Sequence, residues 1–128
     1  MRPEGLHPTL RVSPRPGDIN SNGHIFGGWV LSQMDIAGGI VAHRTSQGHT
    51  ATVAIDTMQF VAPILLGDVI EVYAWVERRG RTSMGIRIEV FAIRGLEEEQ
   101  IKVTEALFTF VAIDENAKPR VLPPLPVQ

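Results

Sequence analysis

Cysteine is absent from the chain, which excludes disulfides, thiolate metal ligands and a cysteine nucleophile. A cysteine-free chain also fits a reducing compartment. No charge of one sign prevails: 12 Lys and Arg against 14 Asp and Glu leave a formal net charge of −2, which speaks against a general nucleic-acid binder. No apolar run is long enough to span a bilayer. No N-terminal stretch joins a basic start to an apolar core, as a secretory signal would. The G-x-S-x-G elbow of serine hydrolases is missing. His7, His43 and His49 are scattered without metal-ligand spacing and read as structural or surface residues. What remains is 128 residues, 44% hydrophobic and 20% charged, a size and balance that suit one domain with a core of its own. The expectation is a single domain over residues 1–128, cytoplasmic, with no membrane, nucleic-acid or metal partner.

Periodicity sorts the chain into one helix and five strands. "TLRVSP" is a short strand, and "PRPGDINSNG" gathers turn residues into a loop. "IFGGWVLSQMDIAGGIVAHR" is the only good helix candidate. "TATVAIDTMQF", "DVIEVYAWVERR", "TSMGIRIEVFAI" and "IKVTEALFTFVAI" alternate with period 2 and are separated by turns. The first alternates Val53, Ile55 and Thr57. The third puts Met84, Ile86, Ile88 and Val90 on one face. The last puts Ile101, Val103 and Leu107 on one face and Phe108 and Phe110 on the other. The tail from about residue 118 is Pro-rich and extended. One helix with five mostly antiparallel strands is an α+β layout, with the largely apolar helix buried against the sheet.

At about 100° per residue, Gly28, Ser32, Asp35, Gly39 and Ala42 share one stripe of the helix. Trp29, Val30, Met34, Ile36, Ala37, Ile40 and Val41 cover the core side. A lone carboxylate among small residues admits a close neighbour, either a second helix or a ligand. Asp35 is then either a structural acid or a catalytic one. Gly27 and Gly28 stand at the helix start, where backbone N–H groups have no internal partner and the helix dipole favours negative charge. They suit an oxyanion hole for a carbonyl under attack. Gly27 and Asp35 are about 12 Å apart along one helix, too far to serve one carbonyl. Two antiparallel copies bring the start of one helix to the middle of the other. The expectation is a dimer whose sites are built from both chains.

"NSNGHIFGGWVLSQMD", "TVAIDTMQFVAPILLGD", "GRTS" and "TEALFTFVAID" resemble the YciA-type acyl-CoA thioesterases of the hotdog-fold superfamily, in order and spacing over nearly the whole chain. The resemblance implies a hotdog fold, a long central helix wrapped by a curved antiparallel β-sheet, doubled on dimerisation, with dimers assembling into hexamers as trimers of dimers. It implies hydrolysis of acyl-CoA to free CoA and a carboxylic acid, with no cofactor beyond the coenzyme A of substrate and product. Asp35 matches the catalytic acid, Asn20 the loop residue that places water or carbonyl, and Gly27 and Gly28 the segment whose amide polarises the thioester. His24 stands where many relatives carry an acid and, with Phe26, falls beside the substrate. Asp35 acts as general base on a water or as nucleophile through a mixed anhydride.

CoA carries phosphates, and "ERRGRTS" supplies Arg78, Arg79 and Arg81 with the hydroxyls of Thr82 and Ser83, so these are expected to bind CoA. Which arginine makes the contact is open. Met58 and Phe60 either line the acyl tunnel or are plain core. Rival readings are a non-catalytic acyl-CoA sensor, a hotdog dehydratase, whose H-F-P-G-x-P-type loop is absent here, and a structural oligomer, which leaves the N-x-N-G and F-G-G residues unexplained.

Overall fold

The apolar spacing after Phe26 becomes helix α1 (Gly27–Ser46), and the alternating segments become β1 (Leu10–Val12), β2 (Thr50–Phe60), β3 (Val69–Arg79), β4 (Ser83–Arg94) and β5 (Glu99–Ala112). This computed structural model describes residues 2–125. Met1 and residues 126–128, the ends of the expected domain and of its Pro-rich tail, lie outside the described residues. A single 3₁₀ turn, Pro16–Asp18, interrupts the loop before the helix. All five strands form one antiparallel, curved sheet in the order β1-β3-β4-β5-β2. This is the α+β hotdog layout expected from the sequence. Among the described residues no helix is long and apolar enough to cross a membrane.

The helix lies on the inner face of the sheet. Met34 and Ala37 pack on Ile70, Val72, Met84, Ile86, Ile88, Val90, Phe108 and Phe110, all of them buried. Gly38 shares this face. A Cβ on it would stand 2.8 Å from both Ile88 Cδ1 and Phe110 Cε1, so glycine sets how closely helix and sheet approach. Gly38→Ala is expected to cost about 1–3 kcal/mol through overpacking, read as a lower Tm in thermal unfolding. No drop in Tm would show that the core yields at this point.

Two helix positions differ from expectation. Ile36, assigned to the core side, is 51% exposed, and Ala42, assigned to the small-residue stripe, is fully buried. Ile36 lies about 200° round from Met34 at 100° per residue, on the side its own sheet cannot reach.

β-Bulges alter the faces of two strands. In β2 one bulge separates Thr52 from Ala54 and another Asp56 from Gln59. Each inserts a residue and flips the face of everything after it. Thr52, Ile55 and Phe60, paired with Phe110, Phe108 and Thr104, therefore face the helix, in place of the expected alternation of Val53, Ile55 and Thr57. Thr57 sits in the second bulge at φ 39°, a left-handed conformation rare for a β-branched residue. In β5 the register shifts where Val90 pairs with Thr104 and Phe91 with Lys102. Val103 and Phe108 are thus both buried, while Leu107 turns to the outer face beside Asp56.

On the outer face the carboxylate of Glu71 is buried. It accepts from Arg2 at 2.9 Å, from Arg11 at 2.9 and 3.1 Å and from the Tyr73 hydroxyl at 3.0 Å. Burial works to raise its pKa, but these donors outweigh it and hold the group below its ordinary 4.5. The stability this contributes is present above the ordinary value and is lost as pH falls through the lowered one. At the other end of the chain Arg120 closes the helix C-terminus, donating to the carbonyls of Ser46 at 2.9 Å, Ile113 at 2.9 Å and His49 at 3.2 Å.

Candidate active site

Helix α1 begins without a side-chain cap. Its N-cap residue is Phe26, half-exposed, with no group to accept a hydrogen bond. The Phe26 carbonyl accepts from Trp29 N–H at 3.0 Å and Val30 N–H at 3.4 Å. Among the described residues the N–H groups of Gly27 and Gly28 find no acceptor. A Cβ on Gly28 would meet nothing within 4 Å, so the approach to these donors is open.

The loop before the helix is held by Asn20. Its Oδ1 accepts from the backbone N–H groups of Asn22 at 2.9 Å and His24 at 3.1 Å, an Asx-type turn. Its own N–H donates to the His24 carbonyl at 2.7 Å. With Oδ1 engaged, what Asn20 offers outward is the Nδ2 donor. Asn20, His24 and Gly27 line one cavity of about 380 Å³, with Val30, Phe60, Val61, Ile64 and Val103 as its apolar walls.

Asp35 lines a different cavity, of about 340 Å³, with Gly28, Leu31, Ser32, Thr52 and Ile55. The carboxylate is solvent-exposed, and its Oδ1 accepts from the Thr52 hydroxyl at 2.6 Å. Sequence reasoning missed Thr52, because plain alternation puts it on the face opposite Ile55, whereas the bulge between them brings both to the helix side. One chain thus places Asn20 and the Gly27 amide in one pocket and Asp35 in another, with Gly28 lining the Asp35 side.

The arginine turn is divided as well. Arg78 lies on the outer face over Gly85 and donates to Thr109 Oγ1 at 3.4 Å. Arg79 donates to the Pro123 carbonyl. Arg81 is exposed at the tip, its backbone carbonyl accepting from Leu122 at 2.9 Å, and the Thr82 carbonyl accepts from Ala112 at 2.9 Å. Ser83 pairs with Val111, eight residues along β5 from Val103, or about 27 Å from the Asn20 pocket. Within one chain the arginine turn and the Asn20 pocket are therefore not brought together. The turn lies instead on the Asp35 side: Thr52 pairs with Phe110, and Phe110 with Met84 next to Ser83. Met58 is half-buried and packs on the core, whereas Phe60 is 50% exposed in the Asn20 pocket.

The connection from Val61 to Asp68, which forms one wall of that pocket, is pinned from behind. Buried Asp68 accepts from Arg94 twice at 2.8 Å and from Leu65 N–H at 2.9 Å. Ile25 N–H donates to the Ile64 carbonyl at 3.0 Å and ties the wall to the Asn20 loop. Among the described residues no group of three or more His, Asp or Glu is placed to hold a metal ion.

β2 is an edge strand of eleven residues whose other edge is unpaired among the described residues. Val53 at 57% and Ile55 at 41% exposure stand on it, and Ile36 of the helix is exposed as well.

A family model described as the thioesterase superfamily matches residues 22–99. The acyl-CoA thioester hydrolase YciA of Salmonella typhimurium is 47% identical over 122 residues, covering 93% of this chain and 90% of the relative. A hexameric thioesterase from Yersinia pestis superposes with a TM-score of 0.89 at 44% identity, covering 95% of this chain and 98% of that one. A hexameric broad-specificity acyl-coenzyme A thioesterase superposes with a TM-score of 0.88 at 40% identity, covering 96% and 85%.

Proposed function

The chain belongs to the thioesterase superfamily, and from that membership we propose that it hydrolyses acyl-CoA thioesters to free CoA and a carboxylic acid at sites shared between two copies of the chain. That it is an acyl-CoA thioester hydrolase follows from relatives so named at 45–47% identity over most of its length. The observation that carries the shared site is its division: Asn20 and the free Gly27 amide in one pocket, the Asp35 carboxylate in another, with β2 at the edge of the sheet and Val53 and Ile55 exposed on it.

In this reading two β2 edges pair, and the helices lie antiparallel across the join. The start of one helix then faces Asp35 of the other. The thioester oxygen sits at the Gly27 and Gly28 N–H groups, where negative charge develops during attack. Asn20 Nδ2 holds the water, and Asp35 takes its proton, its carboxylate oriented by Thr52. The new C–O bond forms, the C–S bond breaks, and the CoA thiolate leaves without a strong acid, since thiols ionise near pH ~8.5. Asp35 as nucleophile uses the same geometry. Hexameric relatives support further assembly, as a trimer of such dimers.

Free-thiol release from acyl-CoAs of increasing length tests the function. Binding without release would make the protein a sensor.

For CoA, Arg81 is the arginine left at the exposed tip, with Thr82 and Ser83 beside it. Arg81→Ala is expected to raise KM about tenfold, the loss of one charge-assisted phosphate contact, with kcat little changed and the effect shrinking at high salt. An unchanged KM would move the phosphates elsewhere.

A further inference from the structure

We propose that Phe60 sets the acyl-chain range of the enzyme by walling off the pocket at Gly27, restricting it to short and medium chains. This rests on the thioesterase reading above and adds a substrate class to it. Phe60 ends β2, and its ring lies against the helix start: a Cβ on Gly27 would stand 3.4 Å from both Cε2 and Cζ of the ring. The carbonyl of the thioester belongs at that N–H group, so the ring flanks the path that the acyl chain takes from the polar rim of Asn20, His24 and Gly27 toward Val30, Ile64 and Val103.

The backbone on both sides of the ring is fixed. The Gln59 carbonyl accepts from the buried Thr104 hydroxyl at 2.6 Å, and Val61 N–H donates to the Val103 carbonyl at 2.8 Å. The ring itself is half-exposed. A clamped backbone presenting a large aromatic to an open cavity is poor core packing, because apolar surface is left in water. The arrangement also depends on the second β2 bulge. Without the extra residue at Thr57 and Met58, position 60 would face outward, as alternation along the strand dictates. The strained bulge therefore turns a ring into the pocket, as bulges beside binding sites do. The cavity of about 380 Å³ is near the lower end for small-molecule pockets.

The test compares wild type, Phe60→Leu and Phe60→Ala on straight-chain acyl-CoAs from acetyl to palmitoyl. It reads kcat/KM by thiol release and Kd for non-hydrolysable thioether analogues of the same lengths. The ratio of long-chain to short-chain kcat/KM is expected to rise at least about tenfold in Phe60→Ala, with Phe60→Leu between, and the Kd values are expected to shift in the same order. A parallel loss at every length, or an unchanged ratio in both variants, overturns the proposal and leaves the ring a structural contact. A wild type that already prefers palmitoyl-CoA overturns it too. If wild type releases no thiol at all, the hydrolase reading fails, while the chain-length dependence of analogue affinity still decides whether Phe60 is the wall.

Discussion

Asp35→Ala is expected to lower kcat/KM for acyl-CoA by about 10²–10⁴-fold, the range for losing a positioned general base, and to leave the fold intact. The carboxylate is solvent-exposed, and its recorded partner is the Thr52 hydroxyl at 2.6 Å. Once Asp35 is gone, water satisfies that hydroxyl, so the change in stability should stay within ~0.5 kcal/mol, as for ordinary surface substitutions. Asp35→Asn keeps the shape and the contact to Thr52 but cannot take a proton at neutral pH, and should fall nearly as far. The measurement is thiol release with each variant, beside Tm and assembly size. If activity survives in Asp35→Asn, the group acts by shape and the base lies elsewhere. Isotopically labelled water under single-turnover conditions then separates the two routes. Direct attack labels the carboxylic acid product, whereas an anhydride opened at the aspartyl carbonyl leaves the label in Asp35.

The divided site leads to a second large effect. An Asn20→Ala chain and an Asp35→Ala chain, each nearly inactive alone, should regain activity when assembled together. In a mixed dimer one site takes Asn20 from the first partner's counterpart and Asp35 from the other, so both groups are intact there, while the second site lacks both. Each mixed dimer has one good site of two, so dimers captured on both tags should return about half of the wild-type rate, and an unselected random mixture of dimers, half of them mixed, about a quarter. Co-expression with different tags, purification on both and a thiol-release assay measure it. Mixed assemblies as inactive as their parents would mean that each chain completes its own site, and the separation of the two pockets would then need a large movement of the helix start.

Much of this was legible in the sequence because it rests on periodicity. The helix and the five strands follow from the 3.6- and 2-residue spacing of apolar side chains, and their mostly antiparallel layout from the short turns between them; the strand order did not. The distance between Gly27 and Asp35 follows from helix geometry alone. What escaped is what breaks a period. A bulge adds one residue without a compositional mark, and Thr57, a β-branched residue at positive φ, is a residue type that argues against one. So the inward turn of Thr52, Ile55 and Phe60, and the outward turn of Leu107, were hidden. The three arginines read as one patch because they are close in sequence. Strand alternation sends Arg78 outward, and the carbonyl of Pro123, far along the chain, engages Arg79. Ile36 read as core because, in sequence, an exposed apolar residue looks like one that faces its own sheet.

The uncapped start of α1 sets a limit on how heat-resistant this protein can become while it still works. A Ser or Asp at position 26 in place of Phe26 would supply the missing acceptor and add about 1 kcal/mol. That acceptor would occupy an N–H group of the first helical turn, where the substrate's oxygen is read to sit. Selection for thermal endurance alone would favour that change, and selection for turnover would remove it. A library evolved at rising temperature should therefore accumulate stabilising changes across the sheet and the Arg120 end of the helix while position 26 stays apolar, for as long as activity is also demanded.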